Sequence, residues 1–172
     1  MYGYSLPPKQ PDRATWQQYC RSSGLQVCSS LKSSLNKSSK ARWVGRGCYR
    51  EVYLVNGIDV VKLGIKERGW KHCSQEINNY SLHYHPAIMA HILVCDYSWL
   101  VQEALRPVVE PLFGRDRVWE SFYQKIEEEF AEAYYCADYS PFKDCGPKNM
   151  GRDASGKLKV FDYAWMSMNQ GY

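Results

Sequence analysis

The sequence predicts an α+β fold in which a small antiparallel sheet carries one important helix and leads into a second, helical part. Strand-like segments follow one another from Trp43 to Leu63, and the dipeptide Asn56-Gly57 marks a tight hairpin turn between two of them. Further along, apolar residues recur at helical spacing from about Asp116 to Ala137, which predicts a long amphipathic helix. Strands followed by a helical region indicate an α+β fold.

The other elements follow in chain order. Residues 1–14 are rich in proline and are expected to form an irregular arm. Thr15 and Gln18 have the spacing of a capping box, so one broken helix or two short helices should run from there to about Asn36. The later segments with regular patterns are residues 70–84 as a helix, 88–95 with 99–103 as a hairpin, and Met150–Arg152 with Lys157–Phe161 as a shorter hairpin.

These elements predict three parts. Residues 1–42 form a basic, serine-rich helical extension, residues 43–105 form the lobe that contains the sheet, and residues 106–172 form a short helical lobe. The extension is expected to pack on the lobe that follows it.

Composition indicates a globular protein. The chain has 172 residues, of which 45% are apolar and 15% aromatic, enough for a real core. No apolar run approaches the roughly 18 residues that a membrane span needs, and the N-terminus lacks the layout of a secretion signal. The seven cysteines form no C-x-x-C pair, so we expect reduced thiols, a cytoplasmic location and no membrane partner.

Charge is unevenly distributed along the chain. Residues 1–50 contain nine Lys or Arg and one acid, a net charge of +8, whereas the whole chain carries +4. A basic segment of this kind can contact nucleic acid, an acidic partner or a nucleotide, but it is more often a solvated surface. Nucleic-acid binding is therefore kept only as a minor alternative.

The stretch Trp43–Tyr53 contains two glycines, Gly45 and Gly47, and the strand that follows carries Lys62. Glycines separated by one residue allow a hairpin backbone to approach an anion, where side chains would obstruct contact. A lysine on the next strand can direct its ammonium toward the same anion. The pattern therefore indicates a phosphate, and through it a nucleotide.

Several further segments, taken together with these, resemble the motifs of protein kinases and occur in the same order. They are Gly45-x-Gly47-x-x-Arg50-x-Val52, Lys62, Glu76 in a helix, His85-Pro86-Ala87-Ile88, the strand Leu100–Leu105, the loop Phe142–Asn149, and Asp162-Tyr163-Ala164.

The resemblance implies a kinase-like fold with a strongly shortened helical lobe, ATP and Mg²⁺ as cofactors, and a role for each matched residue. Asp144 would be the catalytic carboxylate that orients the acceptor hydroxyl, and Glu76 would hold Lys62 in position. Asn149 and Asp162 would supply oxygen ligands to the metal. The residues implied to contact the nucleotide are Gly45, Gly47, Val52, Val60, Lys62, Glu103 and Leu105. Ile58 and Val60 are expected to share the face of the strand that carries Lys62.

Two departures from the family pattern bear on function. Arg50 stands where kinases have a third glycine, although a basic side chain there can also face phosphate. Only ten residues follow Asp162, which leaves no room for the segments that dock a peptide substrate. Short kinase-like chains of this kind resemble some viral proteins.

Three functions remain open at this point. The first is an ATP-dependent phosphotransferase that acts on a protein hydroxyl, with a homodimer as one way to complete the short lobe. The second is a pseudokinase, a module that engages and regulates a partner protein without transferring phosphate. The third is a nucleic-acid-binding protein.

Overall fold

The computed structural model describes residues 10–83, 89–107, 124 and 149–162 of the chain. These residues fall into two compact units. The larger unit contains residues 10–83 and 91–104, and the smaller unit contains residues 89–90, 105–107, 124 and 149–162. No helix in the described ranges combines the length and the apolar character that crossing a bilayer requires.

Two short helices open the larger unit. Helix α1 spans Trp16–Ser22 and helix α2 spans Leu31–Lys37. The predicted capping box is present: the Gln18 backbone amide donates to the Thr15 hydroxyl, and the Thr15 amide donates to Oε1 of Gln18 at 2.7 Å. Ser30 caps α2 in the same way, since its hydroxyl accepts from the amide of Ser33. The prediction of two short helices is confirmed.

A six-stranded mixed sheet forms the body of the larger unit, in the order β1-β5-β6-β4-β3-β2. The strands are β1 Asp12–Arg13, β2 Ala41–Arg46, β3 Arg50–Val55, β4 Asp59–Gly64, β5 Ile92–Asp96 and β6 Trp99–Glu103. Asn56 and Gly57 form the turn between β3 and β4, and both have the positive φ that such a turn needs.

The sequence prediction was incomplete at the sheet's other edge. Residues Asp12–Arg13, expected to lie in an irregular arm, form a strand parallel to β5, with Asp12 opposite Val94. The sheet is therefore mixed and not purely antiparallel. A parallel pairing with a segment some eighty residues away leaves no local turn signal, so the sequence pattern could not reveal it.

One face of the sheet packs against α1 and α2. Because side chains alternate along a strand, Tyr53, Val55 and Val61 point to this face. They join α1 and α2 residues in a single buried cluster. Its buried members are Tyr19, Cys20, Leu25, Leu31, Leu35, Tyr53, Val55, Val61, Trp99 and Val101. The helices of the extension thus complete the core of the lobe, as expected.

Helix α3, Lys66–His83, packs against the sheet, most closely with β4. It begins close to the strand because two glycines meet there. A Cβ on Gly69 would overlap the carbonyl oxygen of Tyr49 and the backbone of Gly64. A Cβ on Gly64 would in turn lie 2.6 Å from the Gly69 carbonyl carbon. The first turn of the helix therefore rests directly on backbone.

The smaller unit contains a three-stranded sheet of β7 Arg106–Pro107, β8 Met150–Arg152 and β9 Leu158–Val160, in that order. Strands β8 and β9 form the hairpin that the sequence predicted. Oδ1 of Asp153 accepts hydrogen bonds from the Ser155 amide and hydroxyl and from the Lys157 amide, at 2.6–3.0 Å. Gly156 completes the turn at φ +88°.

The long helix predicted from about Asp116 to Ala137 lies outside the described residues, apart from Gln124. The residues of the predicted catalytic loop before Asn149 also lie outside them.

Candidate active site

The predicted pair of Lys62 and Glu76 comes together on one face of the sheet. Lys62 lies on β4 and Glu76 on α3, and the Lys62 Nζ is 2.5 Å from Oε1 of Glu76. The Glu76 side chain is fully buried and that of Lys62 is 5% exposed. A buried ion pair holds only when geometry and hydrogen bonds compensate for the lost hydration, so the position of α3 is coupled to that of β4.

A second cation contacts the same carboxylate. The guanidinium of Arg50, at the start of β3, donates to Oε2 of Glu76, and its side chain is 12% exposed. Arg50 was expected near phosphate, and its bond to Glu76 was not predicted. In the structure Val52 pairs with Lys62 and residue 50 shares a strand face with residue 52, a register that no short sequence pattern indicates.

The glycine hairpin joins β2 to β3. The amide of Gly47 donates to the carbonyl oxygen of Arg50 at 2.9 Å, which closes the turn. At the tip, the Tyr49 ring stacks on His72 of α3 with a centroid distance of 4.2 Å. No described atom lies within 4 Å of a Cβ built on Gly45, and a Cβ on Gly47 meets only the Arg50 carbonyl oxygen, at 4.0 Å. The space beside both glycines is therefore open among the described residues, and packing there does not require a glycine at either position.

The apolar residues expected beside Lys62 are only partly where the sequence placed them. Val52 and Val60 are half-buried on the Lys62 face, because Val52 pairs with Lys62 and Val60 alternates with it. The expectation for Ile58 was wrong. It lies in the turn before β4 and is 67% exposed, since the strand begins only at Asp59.

Glu103 ends β6, and both its backbone and its side chain face His91. The Glu103 amide donates to the His91 carbonyl oxygen and Oε1 of Glu103 accepts from the His91 amide, both at 2.9 Å. Its side chain thus has a structural contact with the backbone of His91, and its role at a nucleotide stays a prediction. Leu105, in the smaller unit, is half-buried near Gly151, where a Cβ would lie 2.6 Å from that of Leu105.

The hairpin of the smaller unit brings the two predicted metal ligands near each other along its strand ends. The amide of Phe161 donates to the carbonyl oxygen of Asn149 at 3.0 Å, and Asp162 is the next residue. Both side chains are half-buried. An amide oxygen and a carboxylate are hard ligands of the kind that Mg²⁺ prefers, so this donor set fits the implied metal. Asp144 lies outside the described residues, and its role stays a prediction.

Burial also raises the pKa of the Cys73 thiol, which lies beside the ion pair. Cys73 lies on α3 with its sulfur 4.0 Å from the Lys62 carbonyl oxygen. Desolvation raises the pKa of this thiol to about 12, although the Arg50 charge opposes the shift. Burial and the raised pKa both favour the neutral thiol, so the structure presents Cys73 as a packing residue.

A separate open pocket of about 400 Å³ lies in the larger unit between α2 and the sheet. Lys32, Glu51 and Leu63 are among its lining residues, and none of the predicted site residues is. Glu51 and Leu63 alternate with the residues of the Lys62 face, so this pocket lies on the other face of the sheet.

No protein-family model and no curated protein sequence matches the chain. Solved structures do match it. The complex of gentamicin with APH(2")-IIa gives a TM-score of 0.50 at 10% identity, over 81% of this chain and 71% of that chain. The chain has a protein-kinase-like fold. This confirms the fold class that the sequence predicted, and at 10% identity the likeness concerns the fold alone.

Two more kinase-like structures align less closely. The streptomycin–ATP–APH(2")-IIa ternary complex gives a TM-score of 0.49 at 11% identity, over 81% of this chain and 72% of that chain. The GDP and kanamycin complex of APH(2")-IIIa gives 0.46 at 12% identity, over 84% and 72%. All three neighbours are aminoglycoside phosphotransferases.

Proposed function

We propose that the chain is an ATP- and Mg²⁺-dependent phosphotransferase. The observation that carries the proposal is the buried ion pair of Lys62 with Glu76 on the sheet face next to the glycine hairpin. In this role Lys62 contacts the inner phosphates, and the open space at Gly45 and Gly47 admits the triphosphate. Val52 and Val60 provide apolar contact for the base.

The reaction needs little covalent help from the protein. The acceptor hydroxyl oxygen forms a bond to the γ-phosphorus as the bond from that phosphorus to the β,γ-bridging oxygen breaks, and ADP leaves. The hydroxyl proton passes to the carboxylate of Asp144. Asn149 and Asp162 would hold Mg²⁺, which would supply positive charge to neutralise the phosphates.

The acceptor is either a protein hydroxyl or a small molecule. The family resemblance of the sequence favours a protein acceptor. The complex of gentamicin with APH(2")-IIa favours a small-molecule acceptor, because that neighbour shares the fold at a TM-score of 0.50. We favour the protein hydroxyl as first choice and treat an aminoglycoside as the second candidate.

Nucleotide binding and transfer are tested separately. Calorimetry with Mg·ATP should show binding to wild type and a loss of about tenfold or more in affinity for Lys62→Met. Lys71→Met is the matched control, because Lys71 lies on α3 in an exposed pair with Glu67 and should bind ATP like wild type. Absence of ATP binding by the folded wild type would refute the proposal.

Transfer is then measured with γ-labelled ATP and two acceptor sets, a protein mixture and a panel of aminoglycosides. If wild type transfers label to one acceptor set and Asp144→Ala does not, that set identifies the acceptor class. ATP binding with no transfer and no hydrolysis would instead indicate a pseudokinase that acts by engaging a partner. Binding to RNA that is independent of ATP and steeply dependent on salt would indicate the nucleic-acid alternative.

A further inference from the structure

We propose that Arg50 is a positioning residue of the nucleotide site. By holding the second oxygen of Glu76, it fixes this carboxylate, and through it Lys62 and helix α3, before any nucleotide binds. The role of Lys62 as a phosphate ligand rests on the proposed function. The link among Arg50, Glu76 and Lys62 stands on the geometry alone.

The register of two strands places both cations on one face. Val52 lies opposite Lys62, and Arg50, two residues earlier on β3, lies opposite Gly64, two residues later on β4. Arg50 and Lys62 are therefore diagonal neighbours on the same face of the β3–β4 pair, where the Glu76 side chain of α3 can contact both. Gly64 opposite Arg50 has no side chain, and the backbone of α3 at Gly69 packs directly against it, which brings the helix close to the Arg50 face.

The two cations act on different atoms of Glu76. Lys62 donates to Oε1 and Arg50 donates to Oε2. A carboxylate held at one oxygen can still rotate about its last side-chain bond, whereas one held at both oxygens from separate strands has its plane fixed. The guanidinium suits this task because it is planar, always charged and rigid.

The contact also ties α3 to the glycine hairpin. Arg50 is the first residue after the hairpin turn, and its carbonyl oxygen accepts from Gly47. The Tyr49–His72 stack joins the same turn to the same helix. The hairpin, α3 and β4 are therefore held together at Glu76. Among the described residues, a glycine at position 50 would leave Lys62 as the one cation on the carboxylate.

Hydrogen exchange without nucleotide tests this positioning directly. In Arg50→Met, amides of residues 73–80 around Glu76 should exchange about fivefold or more faster than in wild type. Arg50→Lys should restore most of the protection, because it returns a cation within reach of Oε2. Arg46→Met is the control, since Arg46 is an exposed arginine on the same hairpin, and it should exchange like wild type. Unchanged exchange in a folded Arg50→Met protein would overturn the proposal.

A double-mutant cycle on Mg·ATP affinity then separates positioning from direct phosphate contact. Arg50→Met should weaken ATP binding about tenfold in wild type but less than about twofold when Glu76 is already Gln, because Arg50 acts through Glu76. Equal losses in both backgrounds would assign Arg50 to the phosphate and overturn the proposal. Circular dichroism confirms that each variant is folded.

The two proposals fail in different ways. If wild type binds no ATP while Arg50→Met loosens α3, the proposed function is wrong and the positioning link is upheld. If wild type binds ATP while Arg50→Met changes neither exchange nor affinity, the positioning proposal is wrong and the proposed function is unaffected.

Discussion

Lys62 and Glu76 lie 2.5 Å apart, nitrogen to oxygen, and together bury almost their entire side chains. Such a pair is costly to desolvate and very costly to break, since removing one partner leaves the other charge buried without compensation. Helix and sheet are therefore coupled at this point by electrostatics as well as by packing.

Replacing Glu76 by Ala should lower the free energy of unfolding by about 3–5 kcal/mol, because it leaves the Lys62 and Arg50 cations without their shared carboxylate. Urea unfolding followed by circular dichroism measures the loss. Glu67→Ala, in an exposed pair on the same helix, should leave the stability close to that of wild type. Similar losses for the two variants would contradict the buried-pair description.

Gly69→Ala should destabilise the protein although alanine favours helices by about 1 kcal/mol over glycine. The added methyl group would overlap the Tyr49 carbonyl oxygen and the Gly64 backbone, neither of which can move without shifting the start of α3. We expect a loss of about 2 kcal/mol or more in urea unfolding. Gly45→Ala is the control, since its methyl group meets no described atom within 4 Å. A stabilised Gly69→Ala protein would show that α3 packs differently.

The pKa of Asp153 should lie near 2. Desolvation raises it, but hydrogen bonds from Ser155 and the Lys157 amide, with the contact to Lys159 at 3.3 Å, outweigh this and lower it from its ordinary 3.8. Carboxyl carbon chemical shifts across an acid titration measure the midpoint. Lys159→Met should raise the midpoint, whereas Lys157→Met should not, because Lys157 donates only through its backbone.

The same shift predicts how the hairpin responds to acid. Because the folded pKa is the lower one, the stabilisation from Asp153 is complete above about pH 4 and is lost as pH falls toward 2. In Asp153→Asn, the protection of the β8 and β9 amides from exchange should no longer fall as the pH is lowered from about 4 to about 2. If the protection in Asp153→Asn falls with pH as in wild type, other groups cause the response to acid.

Cys48 should be alkylated first among the five cysteines within the described ranges, because it alone of these is exposed, on the glycine hairpin. Iodoacetamide labelling with peptide mass mapping measures each rate. Mg·ATP should slow the reaction at Cys48 about fivefold or more if the hairpin covers the nucleotide, as proposed. Cys28, away from the hairpin, should be unaffected by ATP. Equal rates at Cys48 with and without bound ATP would show that the hairpin does not cover it.

Local signals in the sequence predicted most of the larger unit. The Asn56-Gly57 turn, the capping box at Thr15 and the spacing from the glycine hairpin to Lys62 each reflect neighbours in the chain, and each was found as expected. The ion pair of Lys62 with Glu76 followed from the family resemblance.

Features that depend on pairing between distant segments were not predicted. The bond from Arg50 to Glu76 needs the register of β3 on β4 together with the rotation of α3, and no short pattern encodes both. The exposure of Ile58 depends on where a turn ends and a strand begins, a boundary that alternation fixes only to within a few residues.

Strand β1 pairs in parallel with β5 and covers the edge of β5 that does not pair with β6. Without Asp12 and Arg13, the backbone groups of Val94 and Cys95 that face β1 would lose this pairing. An unpaired strand of this kind recruits other chains. Shortened versions of the protein that start after residue 14 should therefore be prone to self-association in concentrated solution, even where their cores remain intact.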